Sequence, residues 1–160
     1  MPATLFLTCG LQGSGKTTLA RRLAEEHAAL RLTADEWLHD LHPGMPEAEL
    51  DTHRDRVEAI QWATALRVLT LGCNVALDWG LWAREERDRY RSEARAVGAR
   101  VVLCLLEPTQ QELRDRLRVR NADPGTGVFR ITDEQFDRAW DLFQRERPTP
   151  EELRLFDPMP

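Results

Sequence analysis

Residues 10–17 carry the clearest chemistry in the chain. They read GLQGSGKT and match the pattern G-x-x-x-x-G-K-[ST] in full, directly after an apolar stretch and directly before a helical one. Three glycines let the backbone curl so that its N–H groups point at phosphate oxygens. Lys16 then reaches the β- and γ-phosphates of a nucleotide, and the hydroxyl of Thr17 is a ligand for Mg²⁺. The predicted cofactor-binding residues here are Gly10, Gln12, Gly13, Ser14, Gly15, Lys16, Thr17 and Thr18.

The lysine and arginine content of the chain also draws attention to position 16. Of 22 lysine and arginine side chains, Lys16 is the one lysine. Codon preference explains the 21 arginines but does not explain this lysine. A slim ammonium passes between glycines to the phosphates, whereas a planar guanidinium with five donors is too broad. The alternative interpretation, a glycine-rich turn that binds nothing, does not explain why position 16 is a lysine.

Short apolar segments alternate with amphipathic ones, and these elements must position the loop. Strands are predicted at 4–9, 31–33, 74–78 and 100–106. Helices are predicted at 16–30, 47–71, 84–97, 110–120 and 132–147. The stripe of the second long helix contains Val57, Ile60 and Leu69, and Thr132 with Gln135 forms a capping box at the start of the last helix. Strands that alternate with helices predict a parallel sheet covered on both faces.

Composition narrows the class of protein. A chain of 160 residues with 42% hydrophobic and 31% charged side chains is predicted to be one folded domain, 1–160. A net charge of −5 disfavours general coating of nucleic acid. No apolar run reaches the length of a membrane span, so we expect a cytoplasmic protein. The cysteines at 9, 73 and 104 are expected to be reduced core residues.

With these motifs in place, the chain resembles the small P-loop kinases. This group of AAA-type ATP-binding proteins includes chloramphenicol phosphotransferase, zeta-type toxins, polynucleotide 5′-kinase, and gluconate and shikimate kinases. The matching segments are CGLQGSGKTTLARRLAEE, RLTADEW, NVALDWGLWAREER and VVLCLLEPTQQELRDRLRVRN. GTPases and transporter ATPases fit less well, since their N-K-x-D and L-S-G-G-Q motifs are absent from the sequence, and the chain is too short for a mechanical AAA-type ATPase.

The resemblance implies an α/β P-loop NTPase fold. Its doubly wound parallel sheet has four to five strands ordered 2-3-1-4, with helices on both faces and a mobile lid around 121–131. A fifth strand is expected at 153–156, unless the tail lies against the adenine pocket instead.

The resemblance also implies two acidic site residues. Asp35, 19 positions after Lys16, matches the aspartate that accepts the proton of the acceptor hydroxyl. Glu36 is the second choice for this role, and the competing structural role for Asp35 is a helix N-cap. Asp78, at the end of a strand, matches an acid of the Mg²⁺ shell; contact with substrate or a simple turn role is the alternative.

Arginines form a further part of the implied site. Arg116 and Arg120 share a helix face before the predicted lid, where the resembling kinases cover the phosphates with a guanidinium. Arg130 is another candidate, and an exposed salt-bridged role is the alternative for each. Arg84 and Arg87 match positions that hold substrate or phosphate in the resembling kinases, whereas a solvated helix face is the expected role of most arginines at 84–95. Trp37, Trp79 and Trp82 are core residues by default, but they flank the expected substrate side.

Together these observations predict an ATP-dependent phosphotransferase that moves the γ-phosphate of ATP to a hydroxyl of a small molecule. Its cofactors are ATP and Mg²⁺, and the catalytic residues are Lys16, Asp35, Arg116 and Arg120, with Thr17 and Asp78 at the metal. A polynucleotide 5′-hydroxyl kinase is the second interpretation, ranked lower because Leu38 and His39 stand where such enzymes commonly have a basic residue. A non-catalytic nucleotide-sensing module is the third.

Overall fold

The computed structural model describes residues 2–122 and 130–160. In these residues four strands form one parallel sheet in the order β2-β3-β1-β4, as predicted. The strands are β1 (Thr4–Cys9), β2 (Ala29–Leu32), β3 (Asn74–Leu77) and β4 (Arg100–Leu105). The helices are α1 (Lys16–Glu26), α2 (Ala34–Leu41), α3 (Glu47–Leu50), α4 (Arg54–Thr70), α5 (Arg84–Ala96), α6 (Gln110–Ala122), α7 (Asp133–Glu146) and α8 (Pro150–Leu153).

The sheet is covered on both faces because successive strand residues point to opposite sides. Leu5 and Leu7 pack with Trp62 of α4 and Tyr90 of α5 on one face. Phe6, between them in sequence, packs with Leu23 of α1 on the other face. Because all four strands are parallel, their carboxyl ends meet at one edge of the sheet. The phosphate loop follows β1 at this edge.

The predicted helix at 47–71 is interrupted at its start. It consists of α3, a 3₁₀ turn at Asp51–His53 and then α4. The predicted stripe is partly wrong, because Val57 and Leu69 are buried whereas Ile60 is 50% exposed. The inner face instead contains Gln61, whose amide donates to the carbonyl of Thr33 at 3.0 Å and accepts from the indole of Trp79 at 3.0 Å.

The first helix also ends earlier than predicted. Its last residue is Glu26, because Ala28 takes a left-handed conformation with φ of 47° and turns the chain into β2. β2 accordingly begins at Ala29, two positions before the predicted start. The predicted capping box of α7 is confirmed, with Thr132 and Gln135 bonded to each other's backbone N–H.

The C-terminal tail adds no strand in the described residues. It forms α8 and then turns so that Asp157 N–H donates to the carbonyl of Val101 at 2.8 Å, while Val101 N–H donates to the Asp157 carboxylate at 2.8 Å. Val101 lies at the start of β4, so the tail contacts the end of the strand opposite the phosphate loop. The expected fifth strand and the expected contact with an adenine pocket are therefore both wrong for this segment.

Three further expectations concern the cysteines, membrane-spanning helices and the lid. Cys9 and Cys104 are buried as predicted, but Cys73 is exposed because it lies in the turn between α4 and β3. Among the described residues, no helix is long and apolar enough to cross a membrane. The predicted lid at 121–131 lies largely outside the described residues, which omit 123–129.

Candidate functional site

The phosphate loop connects β1 to α1 and depends on glycine at both ends. A Cβ on Gly10 would lie 2.7 Å from Ser14 Oγ and 2.9 Å from the carbonyl oxygen of Leu106, so only glycine fits there. Gly15 is the N-cap of α1 with φ of 98°, a conformation that favours glycine. Because α1 has no side-chain cap bond and no acidic residue in its first turn, its positive end remains available to an anion.

The first residue of the loop is fixed by the segment that follows β3. Gly10 N–H donates to the carbonyl of Gly80 at 3.2 Å, and the indole of Trp82 donates to the carbonyl of Gly10 at 2.9 Å. The hydroxyl of Thr8 contacts the carbonyl of Trp79 at 2.9 Å, just before the loop. The end of β3 and the phosphate loop thus form one hydrogen-bonded unit.

Lys16 lies where the acidic candidates converge. Its Nζ donates to the carbonyl of Leu11 at 2.7 Å. Burial lowers the pKa of Lys16 to about 8, while the negative charges of Asp78 and Asp35 act in the opposite direction. The positive charge of Arg120 lowers the same pKa further. Three predicted site residues, Asp78, Asp35 and Arg120, therefore lie close enough to Lys16 to affect its charge.

Asp78 directly follows β3 and is almost fully buried. Burial raises its pKa, and hydrogen bonds from the hydroxyl of Thr17 and from Arg31 oppose that shift. The structure thus places Thr17 and Asp78, the two predicted metal ligands, beside each other. Both offer oxygen atoms, which are the donors that Mg²⁺ prefers.

Arg31 is a site residue that sequence reasoning missed. Its guanidinium donates to Asp78 at 3.2 Å and to both carboxylate oxygens of Glu36, at 2.7 and 2.6 Å. The available signal was its position at the end of β2, because β2 and β3 are neighbours and their carboxyl ends lie side by side. Glu36, the second choice for the base, is therefore held in an ion pair.

Asp35 lies within the first turn of α2, so Thr33 occupies the N-cap position and Asp35 does not. The N-cap alternative for Asp35 is wrong for this reason. Its carboxylate is 51% exposed and accepts a hydrogen bond from Arg54 at 2.8 Å. The candidate base thus faces solvent at the carboxyl edge of the sheet.

Arg54, which the sequence analysis did not single out, is surrounded by carboxylates. Besides Asp35 it contacts Asp51 at 2.8 Å and Glu58 at 3.8 Å. Burial raises the pKa of Glu58 to about 7, with Arg54 opposing and the charge of Glu86 adding to the rise. This network depends on the break between α3 and α4, which the sequence pattern did not predict.

The arginines of α6 lie on two different faces of the helix, as their spacing predicts. The guanidinium of Arg116 donates to the carbonyls of Gly13 and Ser14 at 3.3 and 3.4 Å, and Arg120 lies near Lys16. On another face, Arg114 pairs with Asp137 and stacks on Phe136 at 4.8 Å, and Arg118 pairs with Asp115 at 3.3 Å. Arg130 is exposed. Only the first pair lies over the phosphate loop.

A family model described as an AAA domain matches residues 5–146. The chain belongs to this AAA-domain family. The match begins in β1 and ends with α7, so it includes the phosphate loop and every residue of the site above. The family and the complete loop together make the chain a nucleotide-binding P-loop domain. No curated protein sequence matches it significantly.

Solved structures share the fold of this AAA-domain protein. Chaetomium thermophilum Kti12 in complex with ADP-AlF3 superposes with a TM-score of 0.69 at 19% identity, covering 96% of this chain and 86% of that one. A sugar kinase from a Janibacter species gives 0.65 at 20% identity, with coverage of 94% and 82%. A chain of the Pnkp1/Rnl/Hen1 RNA repair complex gives 0.71 at 19% identity, covering 97% of this chain but only 46% of that one. These likenesses show the fold of the small P-loop kinases.

On the expected substrate side of this AAA-domain protein, the substrate role of Arg87 is wrong and the default core role of Trp79 is confirmed. Arg87 is fully buried and pairs with Glu152, so it is not positioned to hold substrate. Trp79 is also buried, with its ring 5.5 Å from that of Tyr90, and belongs to the core. Arg84 is exposed and pairs with Asp88 at 3.5 Å. Trp37 and Trp82 remain partly exposed.

Proposed function

We propose that the chain is an ATP-dependent phosphotransferase that moves the γ-phosphate of ATP to a hydroxyl of a small molecule. The observation that supports this most is the convergence on Lys16. A candidate base (Asp35), a candidate metal ligand (Asp78) and a candidate phosphate-binding arginine (Arg120) all lie within electrostatic range of its ammonium. A loop that only stored a nucleotide would not need the exposed carboxylate of Asp35.

In this proposal the backbone of residues 10–18 and the amino end of α1 bind the phosphates. Lys16 exchanges its bond to the carbonyl of Leu11 for the β- and γ-phosphates. Thr17 and Asp78 would hold Mg²⁺, which neutralises phosphate charge when it is bound. Residues 1–160 act as one domain.

Asp35 orients the acceptor hydroxyl and takes its proton as the phosphoryl group is transferred. Arg116 and Arg120 stabilise the charge that spreads over the transferring group. The acceptor lies between the amino end of α2 and the segment after β3, because these two carry Asp35 and the anchored Trp82.

The test is an ATP-consumption screen over hydroxyl compounds, including sugars, nucleosides, nucleotide sugars and antibiotics. With the acceptor found, Asp35→Asn should abolish transfer and leave ATP affinity nearly unchanged. Asp40→Asn is the matched control because it makes the same substitution at an exposed position of the same helix. Full turnover of Asp35→Asn would rule out this base, and ATP binding without transfer to any acceptor would favour a nucleotide-sensing module.

A polynucleotide 5′-kinase is the second candidate, favoured by the fold shared with the RNA repair complex chain. Against it, the cation beside Asp35 is Arg54, which already contacts three carboxylates. Phosphorylation of a 5′-hydroxyl oligonucleotide that falls steeply with added salt would reverse the ranking.

A further inference from the structure

The turn that follows β3 holds a leucine in an unfavourable backbone conformation. Leu81 has φ of 44°, in the left-handed region that residues other than glycine rarely adopt, and it is buried. Ala28, which turns α1 into β2, is the other non-glycine residue with positive φ in the part of the chain that the structure describes. A strained residue persists only where its surroundings hold it, and such residues concentrate at functional sites. The contacts that hold Leu81 therefore indicate what the turn does.

A buried arginine holds this strained turn. Nη1 of Arg87 donates to the carbonyl of Leu81 at 3.1 Å and also to the carbonyl of Trp82. The thiol of Cys9, the last residue of β1, donates to the same Leu81 carbonyl at 3.3 Å. Arg87 is itself fixed by its ion pair with Glu152 of α8. The conformation of the turn therefore depends on a helix that comes much later in the chain.

The turn, held in this way, satisfies both backbone polar groups of Gly10. The carbonyl of Gly80 accepts from the N–H of Gly10 at 3.2 Å, and the indole N–H of Trp82 donates to the carbonyl of Gly10 at 2.9 Å. A Cβ on Gly80 would lie 3.1 Å from the indole nitrogen, which is tighter than an ordinary van der Waals contact. The lack of a side chain at position 80 therefore lets the indole reach the phosphate loop.

The contact acts at the first residue of the phosphate loop. The other end of the loop is fixed by α1, because Gly15 is the N-cap of that helix. Leu11, which follows Gly10, carries the carbonyl that accepts from Nζ of Lys16 at 2.7 Å. A loop that is already ordered loses less conformational entropy when a ligand binds. A fixed Gly10 should therefore increase the affinity of the loop for phosphate groups.

Trp82 has two roles that a substitution can separate. Its side chain is partly buried, and its ring packs against the cluster that contains Leu11 and Leu113. Packing against apolar side chains requires the ring but not a hydrogen-bond donor. The indole N–H, which bonds to the backbone of Gly10, is therefore the part of this side chain that core packing does not explain.

We propose that Trp82 is a positioning residue for nucleotide binding. Its indole N–H holds Gly10 in the conformation that receives phosphate, and the ion pair between Arg87 and Glu152 holds the backbone of Trp82. Neither Trp82 nor this ion pair belongs to the loop motif at residues 10–17. The inference extends the nucleotide binding of the P-loop domain and does not depend on phosphate transfer to any acceptor.

Equilibrium binding of ADP to the full chain tests this assignment. ADP with Mg²⁺ is titrated into the wild type and Trp82→Phe in a calorimeter, at a temperature where circular dichroism shows both to be folded. Loss of the hydrogen bond to Gly10 should weaken ADP binding about threefold to tenfold. Trp140→Phe is the matched control and should bind ADP as the wild type does. Trp140 packs against the same cluster, but its indole makes no hydrogen bond to the described residues.

Inorganic pyrophosphate distinguishes positioning of the loop from a direct contact between Trp82 and the nucleoside. Pyrophosphate occupies only the part of the site that binds phosphate, so Trp82→Phe should weaken it by the same factor as ADP. A merely structural role would lower the midpoint of urea unfolding and leave both affinities unchanged. A loss confined to ADP would assign Trp82 to the base or the ribose and would overturn the inference.

Glu152→Gln tests the link through α8, and Glu151→Gln is its control because Glu151 is exposed on the same helix. Glu152→Gln should weaken ADP binding about twofold or more, since a neutral amide holds Arg87 less firmly than a carboxylate. Added to Trp82→Phe it should have little further effect, because both changes act on Gly10. Wild-type affinity in Trp82→Phe, an equal loss in Trp140→Phe, or fully multiplicative losses in the double variant would overturn the inference.

Discussion

The buried ion pair between Arg87 and Glu152 makes a sharp prediction about stability. Arg87 is 0% and Glu152 1% exposed, and two N–H···O bonds of 2.6 and 3.0 Å join them. The remaining donors of Arg87 bond to the carbonyls of Leu81 and Trp82 and, at 2.8 Å, of Glu146. All five guanidinium N–H groups therefore have acceptors. Removal of either partner leaves a buried charge uncompensated.

Arg87→Met and Glu152→Leu should each destabilise the fold by about 3–5 kcal/mol. Arg87→Met should lie at the upper end, because it also leaves three carbonyls without a donor. At about 2–4 °C per kcal/mol for a domain of this size, the melting temperature should fall by roughly 10 °C. The double variant should lose less than the sum of the two, since the second change removes the stranded charge.

Urea unfolding followed by tryptophan fluorescence and circular dichroism gives these free energies. Arg89→Met is the control, because Arg89 lies on the same helix in an exposed pair with Glu93, 3.0 Å away, and should lose less than about 1 kcal/mol. The reasoning would be refuted if Arg87→Met lost no more than Arg89→Met, or if the double variant lost the full sum.

Three further predictions follow from single residues. The pKa of Glu58 rises from 4.5 to about 7 on folding, so stability falls as pH rises through that window. Glu58→Gln should therefore stabilise the fold by about 3 kcal/mol at pH 8 and leave it unchanged near pH 4, and equal effects at both pH values in urea titrations would contradict this. Lys16→Arg should lower kcat by about a hundredfold in the ATP-consumption assay despite its conserved charge. Thr132→Ala should cost about 1 kcal/mol in thermal unfolding, because it removes the capping box of α7.

Local features of this protein could be predicted from sequence, and long-range ones could not. The phosphate loop and the capping box each depend on residues close together in the chain, so their patterns identified them. The strand order followed from resemblance to a known fold. Arg54, by contrast, reaches Asp35 across 19 positions only because α3 and α4 are separate helices.

Arg87 shows why an arginine can be misinterpreted. It lies in an arginine-rich helix whose pattern indicates a solvated or substrate-facing surface. Its burial depends on Glu152, a residue 65 positions away on a short helix that the periodicity did not predict. Arg31 was missed for a similar reason, since its partner Asp78 follows a neighbouring strand and lies 47 positions later in the chain.

The same distance along the chain has a consequence for biosynthesis. At translation rates of about 5–20 residues per second, the 65 positions that separate Arg87 from Glu152 take roughly 3–13 s to synthesise. During that interval the guanidinium has no buried counter-ion and stays hydrated, so Leu81 and Trp82 lack the donors that later fix them. Because the backbone of Trp82 is fixed by Arg87 and its indole holds Gly10, we expect the Gly10 end of the phosphate loop to reach its final rigidity only after α8 has been made.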